Sequence, residues 1–269
     1  MEIIRESTTF KTVNGKRKFC WKTFFVRQNG ILYYGSWDDR SSKPTDISQL
    51  KNLRAVKIND RGPKVQETWA VASEEDCYLK APDLIDFLYS ELEDNIQCEL
   101  EVCEVLRRHP HPNIATYYGC REENGRATGL CFKRYKETLW GKVNPEWLSK
   151  NKFRASGREQ VDDSLKHNFH AILEGIEHLH SLGLVHNDIN PSNIMFDEHG
   201  VSVNIDFGSC RKIGESLETS GAGQTGGWHD PENGLVLEKN DLDAFGELKT
   251  WLFGSVDDAY LFQEDLLEE

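Results

Sequence analysis

The sequence has no C-x-x-C pair and no apolar run close to the ~20 residues that a membrane-spanning helix needs. Its seven cysteines are odd in number and scattered, which favours reduced thiols over a disulfide framework or a zinc site. Residues 1–5 lack the apolar core of a signal peptide. We therefore expect an intracellular, cytoplasmic protein without a transmembrane segment.

Positive charge is also scarce, because 32 Lys and Arg stand against 45 Asp and Glu, a formal net charge of −13. Broad binding to a nucleic-acid backbone needs clustered basic residues, so no nucleic-acid partner is expected. Hydrophobic residues make up 38% of the 269 positions, enough to bury a real core. The composition indicates a globular protein with one two-lobed domain or two small ones.

The front of the chain is rich in strand patterns. Aromatic-rich runs at residues 19–26 and 31–34 flank Asn29-Gly30, a strong hairpin signal. Further strands are predicted at residues 53–58, 65–72, 77–80, 114–118 and 129–134, with a turn at 59–63.

The rear of the chain is mainly helical. A helix is predicted over residues 91–108, where apolar residues recur every three or four positions. A second is predicted over 162–182, capped by Asp162 and stopped by Gly183, and a last one over 240–253. Strands followed by helices predict the α+β class.

Two acidic motifs are the most specific feature. Residues 186–195 read HNDINPSNIM, and residues 205–208 read IDFG. An acid, an amide five positions on, and a second acid before Phe-Gly form the layout of a phosphoryl-transfer site. Asp188 can accept the proton of an attacking hydroxyl, while Asn193 and Asp206 offer the oxygen ligands that suit Mg²⁺.

In this order, these motifs resemble those of the protein kinase family, and the resemblance covers about residues 50–253. Residues 178–186 are similar to the approach to a kinase catalytic loop, and residues 225–232 to the end of an activation segment. Asp241 with Phe245-Gly246 is similar to the anchoring helix of the large lobe. The resemblance implies that Asp188 is the catalytic base, that Asn193 and Asp206 bind Mg²⁺, and that ATP is the phosphate donor.

The resemblance also implies a small-lobe Lys that holds the ATP phosphates and pairs with a Glu of the following helix. Lys80 lies at the family's usual distance before that helix, and we expect it to fill this role. Lys57 is the alternative, since its neighbours look more like the family pattern, but two predicted strands separate it from the helix. Glu99 is the expected partner because it shares a face with the apolar stripe, and Glu101 is the alternative.

Several positions depart from the family pattern. No G-x-G-x-x-G loop is present, and Asn59–Pro63 takes its place, so Asn59 and Gly62 are the expected phosphate-covering residues. Asn190 stands where Ser/Thr kinases usually place a Lys that touches the γ-phosphate, which makes it a candidate catalytic residue. Asp230 replaces the usual Ala before Pro-Glu.

Asn187 replaces the Arg that usually precedes the catalytic Asp. A phosphate on Thr219, Ser220 or Thr225 therefore lacks its usual partner, and we expect activity that phosphorylation of this segment does not switch. Thr225 is expected to brace the catalytic loop. His186 is expected to bind backbone near the second acidic motif and not to act as a general base.

We expect a two-lobed protein-kinase-like fold with its break near Tyr135–Leu139. Residues 1–50 would form an N-terminal extension with a β-hairpin packed on the small lobe, residues 51–135 a β-rich N-lobe, and residues 136–269 a mainly helical, shortened C-lobe that ends after the Asp241 helix. The expected function is transfer of the γ-phosphate of ATP-Mg to a Ser or Thr hydroxyl of a protein. Two alternatives stay open: a pseudokinase scaffold that binds nucleotide, and a small-molecule phosphotransferase of the aminoglycoside or choline kinase kind.

A second, fainter resemblance covers residues 15–50. The stretch from Trp21 to Val26, followed by Leu32-Tyr33-Tyr34, looks like the opening strands of a pleckstrin-homology domain. That resemblance implies phosphoinositide or protein binding. The segment is shorter than a whole domain of that kind, and an extra hairpin on the small lobe is the preferred interpretation.

Overall fold

The computed structural model describes residues 1–13, 16–73, 77–255 and 257–262, and the chain divides into two units. The first unit comprises Met1–Arg61 and Pro82–Leu92. Among the described residues, the second comprises 62–73, 77–81 and those from Glu93 to Phe262. Within the described ranges, no helix has both the length and the apolar character to cross a membrane.

The first unit contains a four-stranded antiparallel sheet in sequence order. Its strands are β1 (Glu2–Val13), β2 (Lys16–Gln28), β3 (Ile31–Trp37) and β4 (Lys51–Ala55). The predicted hairpin is present, and Asn29 and Gly30 form its turn with φ values of 52° and 77°. These left-handed values favour Asn and Gly. Phe24 is buried on one face of the sheet and Phe25 on the other.

The sequence pattern does not predict β1, because its Ser, Thr and charged residues give no regular apolar alternation. The strand pairs with β2 from Glu2 opposite Arg27 to Val13 opposite Lys16, so backbone pairing holds it in place. β4 pairs with β3 in the same sheet. The predicted start of the N-lobe at residue 51 therefore lies inside the first unit.

The second unit begins with a three-stranded antiparallel sheet in the order β5–β7–β6. Its strands are β5 (Tyr78–Lys80), β6 (Tyr117–Glu123) and β7 (Arg126–Phe132). The helix α1 (Leu92–Arg108) agrees with the prediction, and its apolar stripe, including Leu100 and Cys103, is buried.

The rest of the second unit consists of helices and short strands. Its helices are α2 (Leu139–Val143), α3 (Lys150–Ala155), α4 (Asp163–Asn168), α5 (His170–Ser181), α6 (Leu217–Ser220) and α7 (Glu238–Phe253). The strands β8 (Leu184–Val185) and β11 (Arg211–Lys212) pair, as do β9 (Ile194–Phe196) and β10 (Ser202–Asn204). The core between α5 and α7 includes Ile172, Ile176, Leu248 and Trp251. The predicted α+β class is confirmed.

Several predicted elements differ from the observed ones. Residues 65–72 form no strand but only an isolated bridge between Val71 and Cys120. The predicted strands at 114–118 and 129–134 are shifted into β6 and β7, because Asn124-Gly125 forms the turn between them with φ values of 53° and 77°. The predicted helix 162–182 is divided at Phe169 into α4 and α5, with Asp162 as the expected cap, its carboxylate accepting from Leu165 N at 2.8 Å.

Candidate active site

Lys80, Glu99 and Asp206 meet in the second unit. β5 carries Lys80 at its end, and α1 presents Glu99 on its buried face. Lys80 Nζ lies 2.6 Å from Glu99 Oε1 and 2.7 Å from Asp206 Oδ1. The ammonium therefore bridges two carboxylates that lie far apart in the sequence.

The alternatives to this pair, Glu101 and Lys57, are both exposed. Glu101 is exposed, and it accepts a hydrogen bond from Gln97 Nε2 at 2.8 Å. Lys57 is an exposed residue of the first unit. The geometry thus brings together Lys80 and Glu99, the pair that the sequence favours.

The electrostatics of the cluster keep Lys80 cationic. Burial disfavours its charge, but the carboxylates of Glu99 and Asp206 more than compensate and raise its pKa. Burial would also raise the pKa of Asp206, but the ammonium of Lys80 lowers it overall. For the more deeply buried Glu99, desolvation dominates and raises the pKa. Lys80 therefore offers a permanent positive charge beside an ionised Asp206.

Asp188 is held by two hydrogen-bond donors. Its Oδ1 accepts from the backbone N–H of Thr225 at 2.8 Å, and its Oδ2 accepts from Asn193 Nδ2 at 2.8 Å. Asn193 Nδ2 also donates to the Asp188 carbonyl at 2.9 Å. The amide nitrogen of Asn193 is thus used within the loop, which leaves its Oδ1 as the atom for a metal ion.

Asn190, the other candidate catalytic residue of this loop, is buried and hydrogen-bonded within it. The residue is 2% exposed, and its Nδ2 donates to Thr225 Oγ1 at 3.1 Å and to the Asp188 carbonyl at 3.2 Å. Its Oδ1 accepts from Ser192 N at 2.8 Å. Asn190 therefore braces the loop together with Thr225, and this geometry gives no support to a contact with phosphate.

A buried carboxylate on α7 holds the backbone of the loop that carries Asp188. Asp241 on α7 accepts from the backbone N–H of His186 and of Asn187, each at 2.8 Å. Its Oδ2 also lies 2.9 Å from His180 Nε2. His186 Nε2 lies 2.9 Å from the Ile205 carbonyl, which agrees with the structural role expected for this residue.

A cavity of about 380 Å³ opens beside the Lys80 cluster. Its walls are largely apolar, and the ion pair of Lys80 and Asp206 places a positive and a negative charge next to each other in the lining. The lining residues are Tyr78, Lys80, Ala115, Phe132, Lys133, Arg134, Tyr135, Thr138, Met195, Ile205 and Asp206. An apolar cleft with a cation and a carboxylate at one end suits a flat heterocycle that carries phosphates.

The predicted phosphate-covering segment is arranged differently. Gly62 has a φ of 118°, and a Cβ there would lie 2.1 Å from the Ala127 carbonyl oxygen. Arg126 Nη1 donates to the Gly62 carbonyl at 2.7 Å. Gly62 is thus required for close approach to β7, and it does not line the cavity. Asn59 belongs to the first unit, and its phosphate-covering role stays a prediction.

Sequence reasoning misses one buried ion pair, between Lys150 on α3 and Glu247 on α7. Their side chains are 1% and 0% exposed. Neither residue belongs to a recognised motif, and 97 positions separate them in the sequence. Only the packing of α3 against α7 brings them together.

A family model described as "Protein kinase domain" matches residues 86–245. Among curated relatives, the MAP kinase kinase kinase SSK2 of Saccharomyces cerevisiae is 33% identical over 118 residues, 44% of this chain and 7% of that protein. The MAP kinase kinase kinase wis4 of Schizosaccharomyces pombe is 29% identical over 174 residues, 61% of this chain and 11% of that protein. The human mitogen-activated protein kinase kinase kinase 3 is 30% identical over 142 residues, 51% of this chain and 21% of that protein.

This chain thus spans a small part of each of these relatives. Among solved structures, the crystal structure of the yeast RNA Pol II CTD kinase CTDK-1 complex has 19% identity and a TM-score of 0.49. The similarity covers 76% of this chain and 66% of that chain. The family match covers more than half of the sequence and includes Glu99 and both acidic motifs, whereas Lys80 precedes it. The chain therefore belongs to the protein kinase domain family.

Proposed function

We propose that this chain is an ATP- and Mg²⁺-dependent protein kinase that phosphorylates Ser or Thr hydroxyls. The observation that carries the proposal is the Lys80–Glu99–Asp206 cluster beside the apolar cavity. A cationic Lys80 suits the phosphates of a nucleotide, and the apolar walls suit its base. The relatives named above are protein kinases by their names, and this chain covers only part of each.

The remaining roles follow from the geometry of the loop. Asp188 would accept the proton of the substrate hydroxyl, since its carboxylate is oriented by Thr225 and Asn193. Asn193 Oδ1 and the Asp206 carboxylate would hold Mg²⁺, which neutralises phosphate charge when bound. These are hard oxygen ligands, and they fit that ion.

The proposal is tested by incubating the purified chain with γ-labelled ATP, Mg²⁺, protein substrates and a panel of small-molecule alcohols. We expect label on Ser or Thr of a protein. Label on small molecules alone would support the small-molecule phosphotransferase. Nucleotide binding without any transfer would support the pseudokinase scaffold, which the lack of a glycine-rich loop favours.

The role of Lys80 can be tested against that of Lys57. Lys80→Met should lower the rate of transfer by ~10²-fold, because the phosphates lose a preorganised charge. Lys57→Met should have little effect, since Lys57 is exposed and takes no part in the Lys80–Glu99–Asp206 contacts. Steady-state kinetics of both variants would check this. Because Lys80→Met leaves the Glu99 and Asp206 carboxylates without their ammonium partner, the melting temperature should be measured as a control for lost stability. Equal losses in the two variants would contradict the assignment.

Phosphorylation of the segment after Asp206 should not control activity. Asn187 Nδ2 donates to the Val185 and Ser209 carbonyls, and Thr225 Oγ1 accepts from Asn190. Phosphatase treatment should therefore leave the rate unchanged, as should Thr219→Ala and Ser220→Ala. A large loss on phosphatase treatment, reproduced by either Ala variant, would show that the segment is regulated by phosphate.

We also propose that the first unit binds anionic phospholipid headgroups. Residues 1–61 and 82–92, which make up the first unit, contain 13 Lys and Arg against nine Asp and Glu, whereas the rest of the chain contains 19 against 36. Lys11 lies opposite Lys18 in the β1–β2 pairing, and like charges in this arrangement repel. The guanidinium carbons of Arg17 and Arg40 lie 5.2 Å and 5.5 Å from the centroid of the Phe10 ring. This positive charge, together with the likeness of residues 15–50 to a pleckstrin-homology domain, supports the proposal.

Sedimentation with vesicles tests this second role. The whole chain should bind vesicles that contain anionic phospholipid and not vesicles of neutral lipid, and added salt should weaken the binding. Lys11→Glu with Lys18→Glu should abolish it, while Lys57→Glu, an exposed site outside the hairpin, should reduce it less. Binding to duplex DNA in preference to vesicles, or equal effects of the two changes, would contradict the proposal.

A further inference from the structure

The buried ion pair of Lys150 and Glu247 lies against the end of the activation segment. Lys150 Nζ donates to the Gly227 carbonyl as well as to Glu247. The same nitrogen lies 4.3 Å from the centroid of the Trp228 ring. Glu247 Oε2 accepts from Leu261 N at 2.7 Å. One ammonium group therefore joins α3, α7 and the Gly227-Trp228 backbone.

Stability alone is a weak reason for such a pair. Removing two charges from water carries a desolvation cost, and well-packed apolar residues often replace a buried ion pair without loss of stability. The pair does specify an arrangement, since the Gly227 carbonyl must face Lys150. Gly227 has a φ of 79° and follows Gly226, so this part of the backbone has large conformational freedom without an anchor.

A short chain of hydrogen bonds leads from this anchor to Asp188. Trp228 N donates to the Thr225 carbonyl at 3.1 Å and closes the turn that contains Gly227. Thr225 N in turn donates to Asp188 Oδ1 at 2.8 Å. A movement of the Gly227 carbonyl would therefore displace the turn whose first residue orients the proposed base.

We infer that Lys150 is a positioning residue for Asp188, acting through the turn from Thr225 to Trp228. This inference rests on the proposed kinase function. It also supplies a physical source of order for a glycine-rich segment in which we expect no regulatory phosphate. The role is to hold the backbone N–H of Thr225 at the carboxylate, without contact between Lys150 and the substrate.

The test uses the whole chain with Lys150→Met and Glu247→Leu combined, which removes both charges together. We expect its melting temperature to stay close to that of the wild type. We expect kcat to fall by about 10²-fold with little change in the KM for ATP, because misplacement of a catalytic group affects the chemical step. Lys166→Met, which breaks an exposed ion pair with Asp163, is the matched control and should leave both values unchanged.

Amide hydrogen exchange gives a readout that does not depend on activity. In the double variant, the Thr225 and Trp228 amides should lose protection while Trp251 in α7 keeps it. A double variant with wild-type kcat and intact protection would overturn the inference. If the wild type shows no turnover, the kinase proposal is refuted. If the double variant nevertheless loses amide protection in the turn, the anchoring role of Lys150 still stands.

A second variant covers the case in which the double variant fails to fold. Lys150→Gln with Glu247→Gln also removes both charges, so neither is left buried without its partner, and it keeps two amide groups in place of apolar side chains. It should lower kcat and lose the protection of the Thr225 amide, because a Gln side chain is one atom shorter than Lys and has no charge to hold the Gly227 carbonyl. Wild-type kcat with intact protection of the Thr225 amide in this variant would overturn the assignment.

Discussion

Replacing Asp206 with Ala should abolish Mg²⁺-dependent nucleotide binding and, with it, turnover. Asp206 supplies one of the two proposed metal ligands, and its carboxylate also accepts from Lys80 Nζ at 2.7 Å and from Gly208 N at 3.2 Å. The variant loses the metal ligand and one partner of Lys80 at once, while the Lys80–Glu99 pair remains. Calorimetric titration of ATP with and without Mg²⁺ would measure the effect.

The matched control for Asp206→Ala is Asp163→Ala, which removes an exposed carboxylate from the start of α4. That variant should bind ATP-Mg like the wild type. If Asp206→Ala still binds ATP more tightly with Mg²⁺ than without, then Asp206 does not hold the metal. The proposed site would then have to be assigned to other oxygen ligands.

Replacing Asp188 with Asn should leave ATP binding intact and lower the rate of transfer by ~10²–10⁴-fold, the range typical of a general base. Asn cannot accept the proton of the substrate hydroxyl. Its Oδ1 can still accept from Thr225 N, whereas an NH₂ group would face the Asn193 Nδ2 donor in place of Oδ2. Single-turnover kinetics, with ATP affinity measured in parallel, would separate chemistry from binding.

Thr225→Val is the variant to compare with Asp188→Asn. It removes the hydroxyl that accepts from Asn190 but keeps the backbone N–H that donates to Asp188, so its loss of rate should be smaller. An unchanged rate in Asp188→Asn would exclude Asp188 as the base. A larger loss in Thr225→Val than in Asp188→Asn would show that loop geometry matters more than proton transfer.

Much of the second unit can be predicted from sequence alone. The apolar stripe of α1 and the Asp162 cap are local signals, and both are observed. The order of the acidic motifs also suffices to indicate the protein kinase family, which the family match shows. Signals of this kind can be interpreted because they depend on neighbours within a few positions.

The partners of several site residues depend on packing between distant segments. Whether Glu99 or Glu101 faces Lys80 depends on how α1 lies against β5, and the pairing of Lys150 with Glu247 depends on α3 and α7. These contacts join residues that no local pattern connects.

Two predicted roles concern residues whose contacts depend on the fold. The sequence pattern favours a catalytic role for Asn190, but the fold directs its side chain to Thr225 and the Asp188 carbonyl. The pattern also favours a phosphate-covering role for Gly62, but this glycine is needed for close approach to Ala127. Local motifs thus define which residue types the site contains and in which order, because they span only a few positions. The hydrogen-bond partner of each residue is fixed only when the folded chain brings distant segments into contact.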